Sequence, residues 1–293
     1  MAAAEKLVDA FHACEPAADH RDTGSFSHPP GFYGAGRVRA RRAPGRRLPL
    51  ESCEAVTDAP GRFAPNAEVY GPDYYERMYR PHWFLRNRRK YEERDAALLR
   101  IVRPAPSVRI LEVGSARGDT AFFFAPRVKE VLGIDAAPAA VAAARTRLAA
   151  LALPNVRFEE ADARDLSSVP GGPFDVVLLA DFVEHAADSV LIPCLSSARR
   201  ALRPGGALAI YTPNATHWAE RIKAAVPFLQ QEDHIAVRKA ERVVALTEAA
   251  GFRVEDLFFS ASPYPVLGAF DRALPMVGLC RFRTCLRAVT SPP

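Results

Sequence analysis

The stretch Ala180-Asp181-Phe182-Val183-Glu184-His185 carries two carboxylates and an imidazole at positions i, i+3 and i+4. On a helical turn Asp181, Glu184 and His185 would share one face. An imidazole beside an orienting carboxylate suits general-base work, and the same three groups could form a divalent-metal half-site. The competing structural role is that Glu184 and His185 order the loop and cap the helix after it. A second chemically equipped segment is Ile110-Leu111-Glu112-Val113-Gly114-Ser115-Ala116-Arg117-Gly118-Asp119-Thr120, where an apolar run passes straight into a glycine-containing turn. Gly114 and Gly118 let backbone approach a ligand closely, and a helix start beyond them would add exposed N–H donors. The turn is no nucleotide-phosphate loop, because it has neither a Gly-Lys-Ser/Thr ending nor G-x-G-x-x-G.

Two further acids fall in step with it. Gly133-Ile134-Asp135 sets a carboxylate 23 residues after Glu112, a position from which dinucleotide folds hold the hydroxyls of a ribose. Asp135 could also cap the helix that starts at Pro138, and the two roles are compatible. In Glu160-Ala161-Asp162-Ala163, Asp162 could accept a hydrogen bond from an exocyclic amine. Acids at three successive strand ends, with glycine only at the first turn, are hard to obtain from core packing alone.

The elements that must position these groups are legible in the apolar runs after Pro104. Strands are expected over 108–113, 131–134, 156–159, 174–179 and 207–212, with helices over 120–126, 138–152 and 191–202, the last ended by Pro204-Gly205-Gly206. That alternation predicts an α/β fold with a doubly wound, mostly parallel sheet, whose ligands sit at the carboxyl ends of the strands. A helix over 239–250, a strand over 252–259, a loop with Pro263 and Pro265, and a strand over 281–289 predict an antiparallel addition at the sheet edge. Tyr211, Thr212 and Asn214, at the end of the fifth strand, could line a pocket.

Residues 1–65 have no sustained hydrophobic period beyond a short stretch over 2–14 and are expected to form a disordered tail rich in arginine and proline. Arg37, Arg39, Arg41, Arg42, Arg46 and Arg47 cluster there, either as a nucleic-acid or anionic-membrane contact or as a solvated linker. Residues 66–103 are aromatic, basic and helical in pattern, from Tyr74, Tyr75, Tyr79, Trp83 and Phe84 to Leu98 and Ile101. They are expected to pack as helices or form a lid over a substrate pocket, with base stacking as the alternative. The main domain is then 104–293, and the insertion over 213–237 would join the lid.

Composition sets the outer bounds. The chain has 293 residues, 49% of them hydrophobic and 25% charged, which excludes wholly disordered, collagenous and disulfide-scaffold classes. Thirty-nine basic against 34 acidic residues give a formal charge of +5, which permits anionic partners without demanding them. The cysteines, at 14, 53, 194, 280 and 285, show no paired or zinc-binding spacing, so reduced thiols are expected. No apolar run approaches the roughly 18 to 20 residues of a bilayer span, and Glu5, Asp9, Glu15 and Asp19 do not fit a targeting peptide. A cytoplasmic protein is the expectation.

With these motifs in view, residues 104–289 resemble the class I S-adenosylmethionine-dependent methyltransferases. The resemblance is carried by Glu112 to Gly118, Gly133-Ile134-Asp135, Ala161-Asp162-Ala163, Phe174-Asp175-Val176-Val177 and Leu202-Arg203-Pro204-Gly205-Gly206. It implies a seven-stranded Rossmann-like sheet with a terminal antiparallel strand. It also implies S-adenosyl-L-methionine as cofactor, with S-adenosyl-L-homocysteine as product. Gly114 and Gly118 would face the methionine part, Asp135 the ribose, and Asp162 with Ala163 the adenine. Glu112, Ser115, Ala116 and Ala180 complete the implied cofactor set. One position departs from the pattern: the family's usual central glycine is Ala116.

The segment from Asp181 to His185 resembles the acid-x-x-Glu-His segment of small-molecule O-methyltransferases of the ubiquinone-biosynthesis type. By that resemblance Glu184 and His185 assist deprotonation, or Asp181, Glu184 and His185 hold a divalent metal. His234, in Gln231-Glu232-Asp233-His234, resembles the histidine such enzymes place near the acceptor, with capping or a surface role as the alternative. Asp/Asn-Pro-Pro-Tyr is missing after the fourth strand, and Cys194 falls on an expected helix, so amino-group and cytosine-type base methylation are disfavoured. The expected activity is O-methylation of a small molecule. RNA or protein methylation through the basic N-terminal region and a non-catalytic cofactor-binding scaffold are the alternatives.

Overall fold

A computed structural model of the chain describes residues 88–226, 233–260, 262 and 282–290. The expected tail over 1–65 with its arginine cluster, and residues 66–87 of the expected lid, lie outside the described residues. The described body opens with α1 (Arg88–Val102), followed by β1 (Arg109–Val113), α2 (Asp119–Phe124), β2 (Glu130–Asp135), α3 (Pro138–Leu151) and β3 (Val156–Glu160). It continues with β4 (Phe174–Ala180), a 3₁₀ turn over Val183–His185, α4 (Asp188–Ala201), β5 (Leu202–Pro213) and α5 (Trp218–Ala225). It ends with α6 (Ala240–Ala249), β6 (Phe252–Ser260) and β7 (Arg283–Thr290).

The strands form one seven-stranded sheet in the order β3-β2-β1-β4-β5-β7-β6. The first five are parallel, and β7 runs antiparallel to both β5 and β6. The expected doubly wound sheet and its antiparallel edge are therefore both present. A parallel strand covered on both faces needs an unbroken apolar run, and β4 supplies one: Phe174 and every residue from Val176 to Ala180 is buried. One face of the sheet packs on Val183, Leu191, Leu195, Val243 and Leu246, the other on Leu98, Ile101, Phe122, Phe124 and Val141. Each large side chain taken fully out of water there contributes about 1.5–3 kcal/mol.

Helix α1 is part of this core. Ala97, Leu98, Ile101 and Val102 are buried at helical spacing against the sheet, and Arg100 grips the Asp256 carboxylate on β6 through two bonds of 3.0 Å. This portion of the segment expected as a lid is thus a structural helix. Pro204-Gly205-Gly206 also differs from expectation, for α4 stops at Ala201 and the three residues lie within the irregular start of β5.

Because β1, β2, β3, β4 and β5 are parallel, their carboxyl ends share one edge. Gly114, Asp135, Glu160, Asp181 and Pro213 therefore converge there from distant parts of the sequence.

Candidate active site

The first wall of the site is the turn after β1. Gly114 and Ser115 both donate their backbone N–H to the Ile134 carbonyl, at 2.8 and 2.9 Å, which ties the turn to β2. Gly118 closes it with φ +85°, and a Cβ there would sit 2.5 Å from Phe158 Cζ, so backbone conformation and packing both require glycine. Ala116 stands between them at φ +45°, in the left-handed region. Asp135 supports it: its carboxylate accepts from Ala116 N–H at 2.9 Å and from Ala137 N–H at 2.9 Å, so one side chain holds both the turn and the start of α3.

Beneath the turn, Glu112 is buried, and its Oε2 has no hydrogen-bond partner. Burial pushes its carboxyl up to about 8, against the nearby Arg94 guanidinium, which pulls it down. A buried acceptor without a donor fits a cationic group arriving from the cleft. Ser115 is likewise buried with an unpartnered Oγ. Asp162 lies past the end of β3 with its carboxylate accepting from Arg164, through main-chain N–H at 2.8 Å and Nε at 2.9 Å, and that bond holds its pKa down. Ala163 is nearly buried beside it, and Ala180 is buried at the end of β4. Glycines at close approach, a carboxylate at the tip of β2 and a buried carboxyl with one unpartnered oxygen fit the hydroxyls and ammonium of S-adenosylmethionine.

The second wall follows β4. Asp181 has φ +52° and lies outside the 3₁₀ turn, so Asp181, Glu184 and His185 do not share the helical face that their spacing suggests. Two guanidiniums hold it instead. Arg94 Nε donates to Oδ2 at 3.1 Å, and Arg283 Nη1 to Oδ1 at 2.9 Å. Both guanidiniums also face the Tyr211 ring, at 5.9 and 5.4 Å from its centroid. Arg94 further donates to Thr120 Oγ1 at 2.8 Å, linking this cluster to α2.

Glu184 is 1% exposed, accepts from Thr212 Oγ1 at 2.9 Å and lies 3.5 Å from Arg283 Nη1. Burial raises its pKa, as does the neighbouring Asp181 charge, while Arg283 opposes them. His185 Nδ1 lies 2.8 Å from the Asp233 carbonyl. A carbonyl can only accept, so Nδ1 is the donor, and in the neutral ring this tautomer puts the lone pair on Nε2. The His234 ring meets His185 edge-on at 4.9 Å between centroids, and burial lowers its pKa, so its imidazole is neutral. Ligand atoms of Glu184, His185 and His234 lie within 4.8 Å of one another. The trio that assembles thus contains His234 and leaves out Asp181.

Arg94 and Arg283 went unread in the sequence. The only signal for Arg283 was an arginine at the head of a strand whose next residues, Thr284, Cys285 and Leu286, are buried. Cys194 is buried on α4, and burial pushes its thiol up to about 12, which leaves no nucleophile there. Among the described residues no helix is long and apolar enough to cross a membrane.

Comparison with known proteins agrees with this geometry. Residues 110–206 match the family model described as a methyltransferase domain. The chain is 31% identical over 173 residues to trans-aconitate 2-methyltransferase of Methylobacterium nodulans, covering 57% of this chain and 61% of that protein. It is 26% identical over 157 residues to ubiquinone biosynthesis O-methyltransferase of Acinetobacter baylyi, covering 51% and 65%. The chain spans about three fifths of the length of the curated relatives it matches. In fold it is similar to magnesium protoporphyrin IX methyltransferase of Synechocystis PCC 6803, with a TM-score of 0.58, 16% identity and coverage of 77% of this chain and 98% of that one. Residues 110–206 thus resemble a methyltransferase domain, and the seven-stranded sheet that carries them has the Rossmann-like fold of class I methyltransferases.

Proposed function

We propose that the protein transfers a methyl group from S-adenosylmethionine to an oxygen of a small molecule. The observation that carries the cofactor half is the pairing of Asp135, anchored to Ala116 and Ala137, with the buried Glu112, whose Oε2 has no partner, at the adjacent strand end. When bound, S-adenosylmethionine supplies a methyl already activated on a sulfonium for in-line displacement, so the protein's remaining tasks are alignment and deprotonation of the acceptor. Glu112 would hold the ammonium of the methionine part, Asp135 the ribose hydroxyls, and Gly114 with Gly118 would admit the ligand to the backbone.

The acceptor half rests on His185. Its Nδ1–H is committed to the Asp233 carbonyl, which orients the ring and leaves Nε2 to take a proton from a hydroxyl. Glu184 anchors the same turn through Thr212 and Arg283, and the backbone N–H of Ala236 donates to the Glu184 carbonyl at 2.9 Å. His234 forms the far wall. The trans-aconitate relative is named for a small-molecule acceptor and the ubiquinone-type relative for the biosynthesis of a small molecule, which supports a small molecule over RNA or protein.

Calorimetry with S-adenosylmethionine and S-adenosylhomocysteine tests the first half on wild type and Asp135→Ala. Micromolar binding that the substitution abolishes is expected. Absence of binding by both ligands to wild type would overturn the enzymatic reading. Release of S-adenosylhomocysteine on addition of phenols, hydroxy acids or sugars then tests the second half.

A further inference from the structure

We infer that the acceptor carries a carboxylate, gripped by the free edge of Arg283 and the side-chain amide of Asn214. The inference rests on the methyltransferase reading and deepens it.

Arg283 stands at the start of β7, opposite Pro213 at the end of β5. Both of its acidic partners, Asp181 and Glu184, are met through Nη1 alone. Its Nε is buried and has no partner, although a guanidinium presents Nε and Nη2 as a parallel pair of donors. That edge matches the two oxygens of a carboxylate, which is why arginine forms bidentate pairs with such groups. An uncommitted buried donor costs free energy until something accepts from it. Here the guanidinium is otherwise over-restrained, by Asp181, Glu184 and the Tyr211 ring, so the open edge is held rigid.

A second unpartnered donor belongs to the residue after Pro213, the register partner of Arg283. Asn214 is 1% exposed, and its Nδ2 is also buried without a partner. Its Oδ1 accepts from Thr216, through N–H at 3.2 Å and Oγ1 at 3.1 Å, which fixes the amide and assigns Nδ2 as the unused donor. The backbone N–H of Asn214 donates to the Phe282 carbonyl at 3.2 Å, so the two orphaned donors belong to residues on adjoining strand ends. These are donors only, at the carboxyl edge of the sheet, next to the His185 and Glu184 turn. A neutral carbonyl could accept from Arg283 Nε, but it would offer the fork one oxygen in place of two and no opposite charge. A phosphate dianion fits less well than a carboxylate, because Asp181 and Glu184 already stand against the same guanidinium.

The test loads the protein with S-adenosylhomocysteine and titrates it with aromatic and aliphatic mono-, di- and tricarboxylic acids, each paired with its neutral amide. At least one acid is expected to bind about tenfold or more tightly than its amide. Arg283→Lys keeps the charge facing Asp181 and Glu184 but removes the fork, and should reduce that preference below about threefold, with S-adenosylhomocysteine binding retained. In turnover the same variant raises KM for the acid far more than it lowers kcat. Asn214→Leu should give a smaller loss, and keeps the test open if the arginine variant does not fold. Base-labile product would mark the gripped carboxylate as the methylated group; base-stable product would mark it as a handle, and either agrees with the inference. No acid preferred over its amide, or a preference untouched by both substitutions, would overturn it. Failure of wild type to bind S-adenosylhomocysteine would instead overturn the methyltransferase reading.

Discussion

Asp135 accepts the backbone N–H of Ala116 at 2.9 Å while Ala116 sits at φ +45°, so the carboxylate at the tip of β2 holds in place the one strained non-glycine residue of the cofactor turn. The same carboxylate takes the Ala137 N–H at the entry to α3. Removing it orphans these two donors, at a cost of about 1 kcal/mol or more. Asp135→Ala should therefore lower thermal stability and abolish cofactor binding together. Asp135→Asn keeps one acceptor oxygen, and should retain most of the stability while losing at least about tenfold in affinity. Equal stability loss in both variants, seen by thermal denaturation, would separate Asp135 from this role.

Strain at Ala116 gives a second test. An alanine in the left-handed region costs about 1–2 kcal/mol, part of which Ala116→Gly recovers against the added freedom of the unfolded chain. A net gain of about 0.5–1 kcal/mol is expected, with tighter S-adenosylhomocysteine binding. Ala152, at φ +50° after α3, is the control. Ala152→Gly should stabilise by a similar amount through the same relief and leave cofactor affinity unchanged.

Much of this site was legible because its parts are local. The turn from Glu112 to Gly118 and the tip at Asp135 each lie within a few residues of a strand end, and a buried parallel strand announces itself as an apolar run. The acceptor wall was only half legible. Glu184 and His185 are neighbours in sequence, but Asp181 is turned away from them by Arg94 and Arg283, which lie 87 and 102 residues from it. No periodicity connects residues so far apart. The spacing of Asp181, Glu184 and His185 implied a helical turn, whereas two charge-assisted bonds and φ +52° at Asp181 outweighed that local preference. For helix α1 the apolar stripe of Ala97, Leu98, Ile101 and Val102 was legible, and of the two expectations, packed helix or lid, it is packing on the sheet that this stripe makes.

Glu112 makes the site sensitive to pH. Its carboxyl keeps a proton to about 8 in the fold, against roughly 4.3 in an unfolded chain. The folded state therefore binds more protons across that window, so the stabilisation is complete below the unfolded value and is lost as pH rises through about 8. Glu112→Gln should match wild type near pH 4 and be more stable near pH 8, by chemical denaturation at both. A bound ammonium reverses the preference and favours the carboxylate. S-adenosylmethionine binding at neutral pH should then release a proton from wild type and none from Glu112→Gln, measured by calorimetry in two buffers of different ionisation enthalpy.

The trio of Glu184, His185 and His234 is compact enough to hold a metal, yet its charges favour an acid–base role. Glu184 already faces a fixed cation, because Arg283 Nη1 lies 3.5 Å from one carboxylate oxygen while Thr212 donates to the other. A divalent ion on Glu184 would have to share that oxygen with a guanidinium, and like charges at such distances in a buried site cost several kcal/mol. His185, with Nδ1–H committed and Nε2 free, has no such conflict. His185→Asn should lower kcat by about 10²–10⁴ with S-adenosylhomocysteine affinity retained. Turnover of wild type should stay within about twofold after treatment with a chelator, the range in which structural side effects cannot be read as chemistry. Loss of activity on chelation, restored by magnesium or zinc in wild type but not in His234→Ala, would assign the trio to a metal instead.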